Sequence, residues 1–346
     1  MIDFRDCYSA DYFEARERFL KHAKELDLPS ETFLHPQSSE FDQDVAVDVV
    51  RIGSIEAKYV LFVTSGVHGT ELTAGSGPQL QMLSHFNESL PADTALVLVH
   101  AMNAYGSAKL TRTDENNVDP NRNIRADFSK LPINESYREL HSALCPKEWQ
   151  GEGREKADAG ITHYVEEKGV LALTQDVLQG QYEYPDGIFY GGKTESWCVS
   201  NFTQIVKDHA KGADQIAIVD IHTGVGPYGF GEVMRVDRPA PADVEWENIG
   251  GFVCDILDRA DCPKAPIKIL LEFGTYEFDR VLTGLRGDNW LRHHGDPQSS
   301  WGRQIKRNLR DALFANDEKW LGDISRQSLE VCEATLQELK GASETI

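Results

Sequence analysis

The sequence predicts an α/β protein built on a mixed, largely parallel sheet flanked by helices. Three observations predict this class. Apolar runs of strand length recur along the chain, stretches with helical spacing lie between and after them, and 40% of the 346 residues are hydrophobic. A chain of this size and composition can bury a large core.

The strands are predicted from the apolar runs in chain order. Val45, Val47 and Val49 alternate with Ala and Asp, which predicts a half-buried strand. Four continuous runs indicate strands covered on both faces: "YVLFV", "ALVLVH", "IAIVDIH" and "IKILLEF". Strands of this kind alternating with helices are typical of a sheet between two helical layers.

Helical spacing and polar flanks predict four helices in "SADYFEARERFLKHAKEL", "SYRELHSALC", "SNFTQIVKDHAKG" and "ENIGGFVCDILDRAD". Two amphipathic helices, in "QSSWGRQIKRNLRDALF" and in residues 318–340, close the chain. No composition shift requires a linker, so we expect residues 1–346 to form one domain. The segment 147–193 is richer in Gly, Glu and Gln, which suggests a helical insertion or a lid.

The charge balance excludes several classes of partner. Asp and Glu total 56 against 35 for Lys and Arg, and the net charge of -21 repels nucleic acid and anionic membranes. We see neither a leader-like start nor an apolar run approaching the ~20 residues of a membrane span. We therefore expect a cytoplasmic protein with six reduced cysteines and a small-molecule partner, and a homo-oligomer stays open.

The first candidate metal ligands follow the run that begins at Tyr59. The chain has four His-x-x-Glu pairs, but only His68 and Glu71 come directly after a predicted central strand. Ligands bind where such strands end, and Gly66 and Gly69 allow a tight turn there. The other three pairs are interpreted as solvated polar pairs.

A third ligand is predicted at His222, which also ends an apolar run. Two nitrogens and one carboxylate with an open position are the ligand set of a catalytic zinc. Asp220 lies two residues earlier and therefore on the same face of a strand, where it can support the site. The alternative is a buried Asp and His whose polar groups bond to the backbone.

Two further stretches supply candidate substrate contacts. The polar loop that ends in "DPNRN" contains Arg112, Asn121 and Arg122, whose donors suit a carboxylate or a developing oxyanion. Solvated surface is the alternative for each of them. Glu272 ends the run "KILLEF", where a buried carboxylate is costly unless it is paired or acts as a general base.

Taken together, these motifs resemble the zinc carboxypeptidase superfamily. His68-x-x-Glu71, "DPNRN", "DIHTG" and "LEFGT" occur in the family's order, and the resemblance runs from about Val45 to Tyr276. It is closest to the branch of aspartoacylase and succinylglutamate desuccinylase and to uncharacterised bacterial members, which also share "GIFYGG" at 187–192.

The resemblance implies a zinc carboxypeptidase-like fold, a Zn cofactor and a role for each matching residue. Its implied zinc ligands are His68, Glu71 and His222. Its implied substrate and catalytic residues are Asn121 and Arg122 for the free carboxylate, Arg112 for the scissile carbonyl and Glu272 as the catalytic glutamate. One position departs from the pattern, because Gly250 stands where carboxypeptidases carry a mobile capping tyrosine. Tyr228 and Tyr276 are candidates to replace that tyrosine.

These observations predict a zinc-dependent hydrolase that cleaves an amide bond in a small peptide or N-acyl amino acid with a free carboxylate. A carboxypeptidase would accept peptides of several lengths, whereas an N-acyl amino acid deacylase would accept one acyl group on one amino acid. A third hypothesis is a non-catalytic module that binds zinc or a carboxylate, and the presence of Glu272 counts against it.

Overall fold

The computed structural model describes residues 3–238 and 250–341. Within these ranges seven strands form one sheet. The strands are β1 (Ser30–Leu34), β2 (Ala46–Ile52), β3 (Tyr59–Thr64), β4 (Thr94–His100), β5 (Gln215–Tyr228), β6 (Gly231–Arg235) and β7 (Ile267–Gly274). Their order across the sheet is β1-β2-β4-β3-β5-β7-β6.

The same ranges contain ten α-helices. They are α1 (Tyr12–Glu25), α2 (Leu72–Ser89), α3 (Ala104–Lys109), α4 (Glu135–Leu144), α5 (Gly151–Lys168), α6 (Val170–Leu178), α7 (Trp197–His209), α8 (Phe278–His294), α9 (Ser300–Leu313) and α10 (Glu318–Leu339). Short 3-10 turns at Gly69–Glu71 and Pro120–Arg122 carry predicted site residues. None of the described helices has both the length and the apolar character to cross a membrane.

The predicted fold class is confirmed. The four central strands β4, β3, β5 and β7 run parallel, while β1, β2 and β6 pair antiparallel at the two sides. The central strands are the four continuous apolar runs of the sequence. Because parallel strands share one carboxyl edge, the residues that follow β3 lie beside the part of β5 that extends past the end of β3.

Each face of the sheet packs on its own apolar core. In β5, Ile216 and Ile218 belong to the core under α7, whereas Val219 and Ile221 belong to the core under α2 and α10. Alternation along the strand therefore places Asp220 and His222 on the α7 face. The strand β3 ends at Thr64, opposite Asp220, so His222 lies just beyond the end of its neighbour.

Two sequence predictions about strands are wrong in detail. The run 45–49 is buried on both faces, because the carboxylate of Asp48 accepts a hydrogen bond from Arg16 Nε of α1 at 2.6 Å and another from Thr32. The polar residue in this alternating pattern belongs to a buried ion pair and does not mark a face of the strand that is exposed to solvent. The strand β5 also continues past His222 to Tyr228, where we predicted an end.

The helix predictions differ from the structure at three places, one of which is α3, a short helix inside the segment that we predicted as a polar loop. The stretch predicted as a helix at 247–261 forms only a 3-10 turn, Val253–Arg259, and residues 247–249 lie outside the described ranges. The helix α8 was not predicted, because its spacing is interrupted by Gly284 and Gly287 and by buried polar side chains. The segment 147–193 contains α5, α6 and an irregular return.

Candidate metal centre

Three of the predicted ligands converge at the carboxyl edge of the sheet. His68 precedes the turn Gly69–Glu71 between β3 and α2, and its Nδ1 lies 2.9 Å from Oε1 of Glu71. Nδ1 of His222 lies 3.0 Å from Oε2 of Glu71 and 3.2 Å from Nδ1 of His68. All three side chains are buried.

The turn that carries two of these ligands packs directly on the backbone of α3. A Cβ atom at Gly69 would lie 2.0 Å from the carbonyl carbon of Gly106, so no larger residue fits without moving the turn. Gly66, just before it, has a φ of 65°, in the left-handed region that glycine adopts without strain. These glycines allow His68 and Glu71 to approach His222.

Two carboxylates hold the outer nitrogens of the histidines. Nε2 of His68 lies 3.1 Å from Asp119 Oδ1, and Nε2 of His222 lies 2.7 Å from Asp220 Oδ2. The Thr64 hydroxyl donates to the other oxygen of Asp220 at 2.6 Å. An ionised carboxylate only accepts hydrogen bonds, so each Nε2 donates its proton outward, and Nδ1 is the nitrogen of each ring that faces Glu71.

The inner faces of these residues fit a metal ion. The two Nδ1 atoms and the Glu71 carboxylate face one another, and one possible ligand atom from each residue lies within 4.8 Å of the others. Three ligand atoms this close together in a buried site could bind one metal ion. Two imidazole nitrogens and a carboxylate suit a divalent transition metal, and the outer carboxylates fix the ring orientation that such a site requires.

Asp119 is a site residue that our sequence reasoning missed. Its Oδ1 faces His68 and also accepts the backbone N–H of Asn121, while its Oδ2 accepts from Nε of Arg112 at 3.0 Å. Burial raises the pKa of Asp119, but the charges of Arg112 and His68 outweigh burial and hold the pKa well below its usual range. The signal was available, because Asp119 opens the "DPNRN" motif.

Arg112 lies between the metal ligands and the segment 179–193. Besides its contact with Asp119, its Nη1 donates to Oε1 of Glu71 at 3.5 Å. Its guanidinium lies 4.5 Å from the ring centroid of Phe189. The predicted role of Arg112 at a carbonyl is compatible with this position, since both N–H groups of Nη2 are uncommitted among the described residues.

Glu272 stands beside His222 on the neighbouring strand. The two residues are register partners of β5 and β7, so their side chains share the α7 face. Oε1 of Glu272 accepts the backbone N–H of Val225 at 3.2 Å. Burial raises the pKa of Glu272 to about 7; the Glu71 charge adds to the rise and His222 opposes it.

Arg122 is a buried cation, 4% exposed, and among the described residues no carboxylate forms an ion pair with it. Nε and Nη2 share one edge of the guanidinium and both donate to the Leu178 carbonyl, at 3.1 and 2.5 Å. Nη1 donates to the Asn121 carbonyl at 2.7 Å. A guanidinium has five N–H groups, so one N–H on each Nη remains available to a ligand.

The surroundings of Arg122 explain how its charge is tolerated. Leu178 is the last residue of α6, so its carbonyl has no partner within the helix and lies at the negative end of the helix dipole. The rings of Phe189 and Phe252 flank the guanidinium at 5.9 and 5.7 Å. Oδ1 of Asn121 accepts the backbone N–H of Val253 at 2.7 Å, which leaves the amide NH₂ as its free donor.

These groups line one pocket with a volume of about 110 Å³. The predicted site residues that line it are His68, Glu71, Arg112, Asn121, Arg122, His222 and Glu272, while Asp220 supports His222 from behind. Much of the remaining wall is apolar and includes Leu178, Phe189, Phe252, Leu285 and Leu313. The pocket thus combines a metal-binding edge with an apolar wall.

Neither candidate tyrosine lines this pocket. The Tyr228 hydroxyl hydrogen-bonds to Asp317, and the Tyr276 ring lies 3.6 Å from the guanidinium of Arg280. Gly250, at the position of the capping tyrosine, accepts a hydrogen bond from Arg125 through its carbonyl. Replacement of that tyrosine by Tyr228 or Tyr276 is therefore not supported by the structure.

Comparisons with known proteins cover nearly the whole chain. A family profile described as "Protein of unknown function (DUF2817)" matches residues 8–250 and 243–327. No curated protein matches the chain.

Three solved structures illustrate the structural similarity, each at 11% identity. Carboxypeptidase A from Helicoverpa armigera matches over 96% of this chain and 76% of its own, with a TM-score of 0.46. Bovine thrombin-activatable fibrinolysis inhibitor matches over 95% and 100%, with a TM-score of 0.45. A metallo-carboxypeptidase from Burkholderia cenocepacia matches over 92% and 70%, with a TM-score of 0.39.

Proposed function

This chain belongs to the family described as a protein of unknown function, DUF2817, and we propose that it is a zinc-dependent hydrolase. Its substrate is a small peptide or N-acyl amino acid with a free carboxylate, and the bond cleaved is an amide. One observation carries the proposal: three converging metal-ligand groups share a pocket with a partly buried carboxylate and two guanidinium groups.

Glu272 supplies the proton transfers in this proposal. Zinc held by His68, Glu71 and His222 would polarise the substrate carbonyl and acidify a water molecule. The Glu272 carboxylate accepts a proton from the attacking water and returns it to the leaving nitrogen. A pKa of about 7 suits both transfers, because the group then gains and loses a proton with little cost near neutral pH.

Each of the two arginines binds a different group of the substrate in this proposal. Arg112 can donate its free N–H groups to the oxyanion that develops on the scissile carbonyl, and Asp119 already holds its guanidinium in place. The two remaining N–H groups of Arg122 can donate to the substrate carboxylate. That contact orients the amide toward Glu272 and converts binding energy into alignment.

A substrate panel tests the proposal. Purified protein loaded with zinc is incubated with dipeptides and N-acyl amino acids, and release of free amine is measured. We expect turnover of substrates with a free carboxylate, and the panel separates peptidase from deacylase activity. Glu272→Gln should retain zinc and lose turnover, because the amide cannot accept the proton. A wild-type protein that holds zinc but cleaves no member of the panel would contradict the proposal.

Carboxyl-amidated substrates test the role of Arg122. The wild type should cleave them poorly, and Arg122→Ala should reduce turnover of free-acid substrates much more than of amidated ones, since both changes delete the same contact. Equal cleavage of amidated and free-acid substrates by the wild type would remove Arg122 and Asn121 from substrate binding and favour an internal amidase.

A further inference from the structure

Glu232 lies at the sheet-edge side of the same pocket. It is the register partner of Glu272 across β6 and β7, and Glu272 is in turn the register partner of His222. Residues in register point to the same face of a sheet, and neighbouring strands lie about 4.8 Å apart. The three side chains therefore form a row on the α7 face, with Glu232 at its outer end, and Glu232 is one of the lining residues of the pocket.

The Glu232 carboxylate has no protein partner in the described part of the chain. No Lys, Arg or His there pairs with it, and no described donor forms a hydrogen bond to it. The sequence outside those ranges, at 1–2, 239–249 and 342–346, contains no Lys, Arg or His either. An exposed charge on an edge strand also discourages sheet-to-sheet pairing, but that role does not require a position in the pocket.

The opposite charge is present elsewhere in the pocket. Arg122 is nine-tenths buried, and its two uncommitted N–H groups already indicate a ligand that carries a carboxylate. A ligand that fills the pocket from Arg122 to the sheet edge would contact the Arg122 guanidinium at one end and the Glu232 carboxylate at the other. Opposite charges on the ligand would complement both groups, whereas a second carboxylate at the edge would be repelled.

We propose that Glu232 selects substrates carrying a cationic group, an ammonium or a guanidinium, in addition to the carboxylate bound by Arg122. This inference rests on the proposed function and narrows its substrate class. The cation has two chemical sources: the side chain of a C-terminal lysine or arginine, or the free amino terminus of a short peptide. An N-acyl amino acid without a basic group lacks both and binds less tightly.

Binding of uncleavable analogues tests the proposal without requiring turnover. Four ketomethylene dipeptide analogues combine a C-terminal Lys or norleucine side chain with a free or an acetylated amino terminus. Their affinities for the zinc-loaded protein are measured by calorimetry for the wild type, for Glu232→Gln and for Glu88→Gln, a matched change at an exposed site on α2. Hydrolysis of the corresponding peptides is followed separately, so failure of the proposed function is seen independently.

The proposal predicts a specific pattern of affinities. In the wild type and in Glu88→Gln, at least one cationic group should tighten binding about three- to tenfold over the neutral analogue. Glu232→Gln should abolish that gain and leave the neutral analogue unchanged, and the arm that responds identifies the source of the cation. Equal affinities for all four analogues in the wild type, or a gain that persists in Glu232→Gln, would overturn the proposal.

Discussion

Asp119 holds two functional side chains at once, because one of its oxygens faces the His68 ring and the other accepts from Arg112. Its charge therefore positions both the His68 ring and the Arg112 guanidinium, the two groups to which we assign metal binding and the substrate carbonyl in the proposed function. Positioning of this kind is usually as sensitive to substitution as the ligands themselves.

We expect Asp119→Asn to weaken zinc affinity by a factor on the order of 10 to 100, because a neutral amide orients the imidazole less strongly. A competitive chelator titration measures the change. Asp127→Asn, an exposed neighbour in the same loop, serves as the control and should not alter the affinity. An unchanged affinity in Asp119→Asn would show that the hydrogen bond to His68 is not needed for metal binding.

Asp114 is a buried acidic residue outside the candidate site. Its Oδ1 accepts the backbone N–H groups of Asn116 and Val118, but its Oδ2 is buried without a hydrogen bond. Burial raises the pKa of Asp114 to about 7, Glu115 adds to the rise, and Arg292 opposes it. The ionised form is therefore less stable in the folded chain than in water.

This shift predicts a pH-dependent effect of Asp114→Asn. The unfolded carboxyl ionises near pH 4, so between about pH 4 and 7 unfolding releases a proton and wild-type stability falls as pH rises. Above pH 7 the penalty is complete. The free energy of unfolding of Asp114→Asn relative to the wild type should rise by about 2.6 kcal/mol from pH 5 to pH 8. Urea unfolding at both pH values measures it, and exposed Asp42→Asn should show no such rise.

At the scale of elements, the turn between β3 and α2 depends on its close contact with α3. In Gly69→Ala the new methyl group would meet the backbone of Gly106 and Ser107 at 2.0 to 2.2 Å, so the turn must move and displace His68 and Glu71. A displacement near 1 Å at a reacting centre can cost a factor on the order of 10² in turnover.

We expect Gly69→Ala to lose turnover by about that factor and to bind zinc more weakly, measured by a peptide assay and by metal analysis. Gly322→Ala is the matched control in α10, where the atom nearest to the new methyl group is in the Phe4 side chain, at 3.3 Å. Full zinc content and normal turnover in Gly69→Ala would show that the turn tolerates the shift.

The sequence predicts best those elements whose apolar character is visible in one short continuous stretch of residues. The four continuous apolar runs became the central strands, and the glycines after "YVLFV" indicated the turn that carries His68. The edge strands β1 and β6 escaped prediction, because an edge strand needs little apolar character of its own. Contacts between distant segments were also hidden: the Asp48–Arg16 pair, the two bonds of Asp119 and the Leu178 carbonyl each depend on the tertiary fold.

At the scale of the whole molecule, the fold rests on apolar packing and not on the metal. Separate cores cover the two faces of the sheet, and a third joins α4, α6, α8 and α9. A chain with cores of this extent does not need a metal to fold, unlike a small zinc-dependent domain.

Removal of zinc should therefore leave the secondary structure intact while lowering the melting temperature. With free zinc at 100 times its dissociation constant, the loss corresponds to about 2.7 kcal/mol. Circular dichroism and calorimetry with and without chelator measure both effects, and His222→Ala should show no shift on chelation. Loss of helical signal on chelation of the wild type would contradict this view.

The contact between Arg122 and α6 is made by a main-chain oxygen, and this has an evolutionary consequence. Any residue at position 178 supplies the same carbonyl, so mutation there can change the side chains of the pocket wall while the main-chain contact to Arg122 is kept. A deletion within α6, by contrast, would withdraw the carbonyl whatever side chains remained. Descendants of this chain could thus vary the side chains of the pocket wall and still inherit the hydrogen bonds between α6 and Arg122, provided that the length of the helix is preserved.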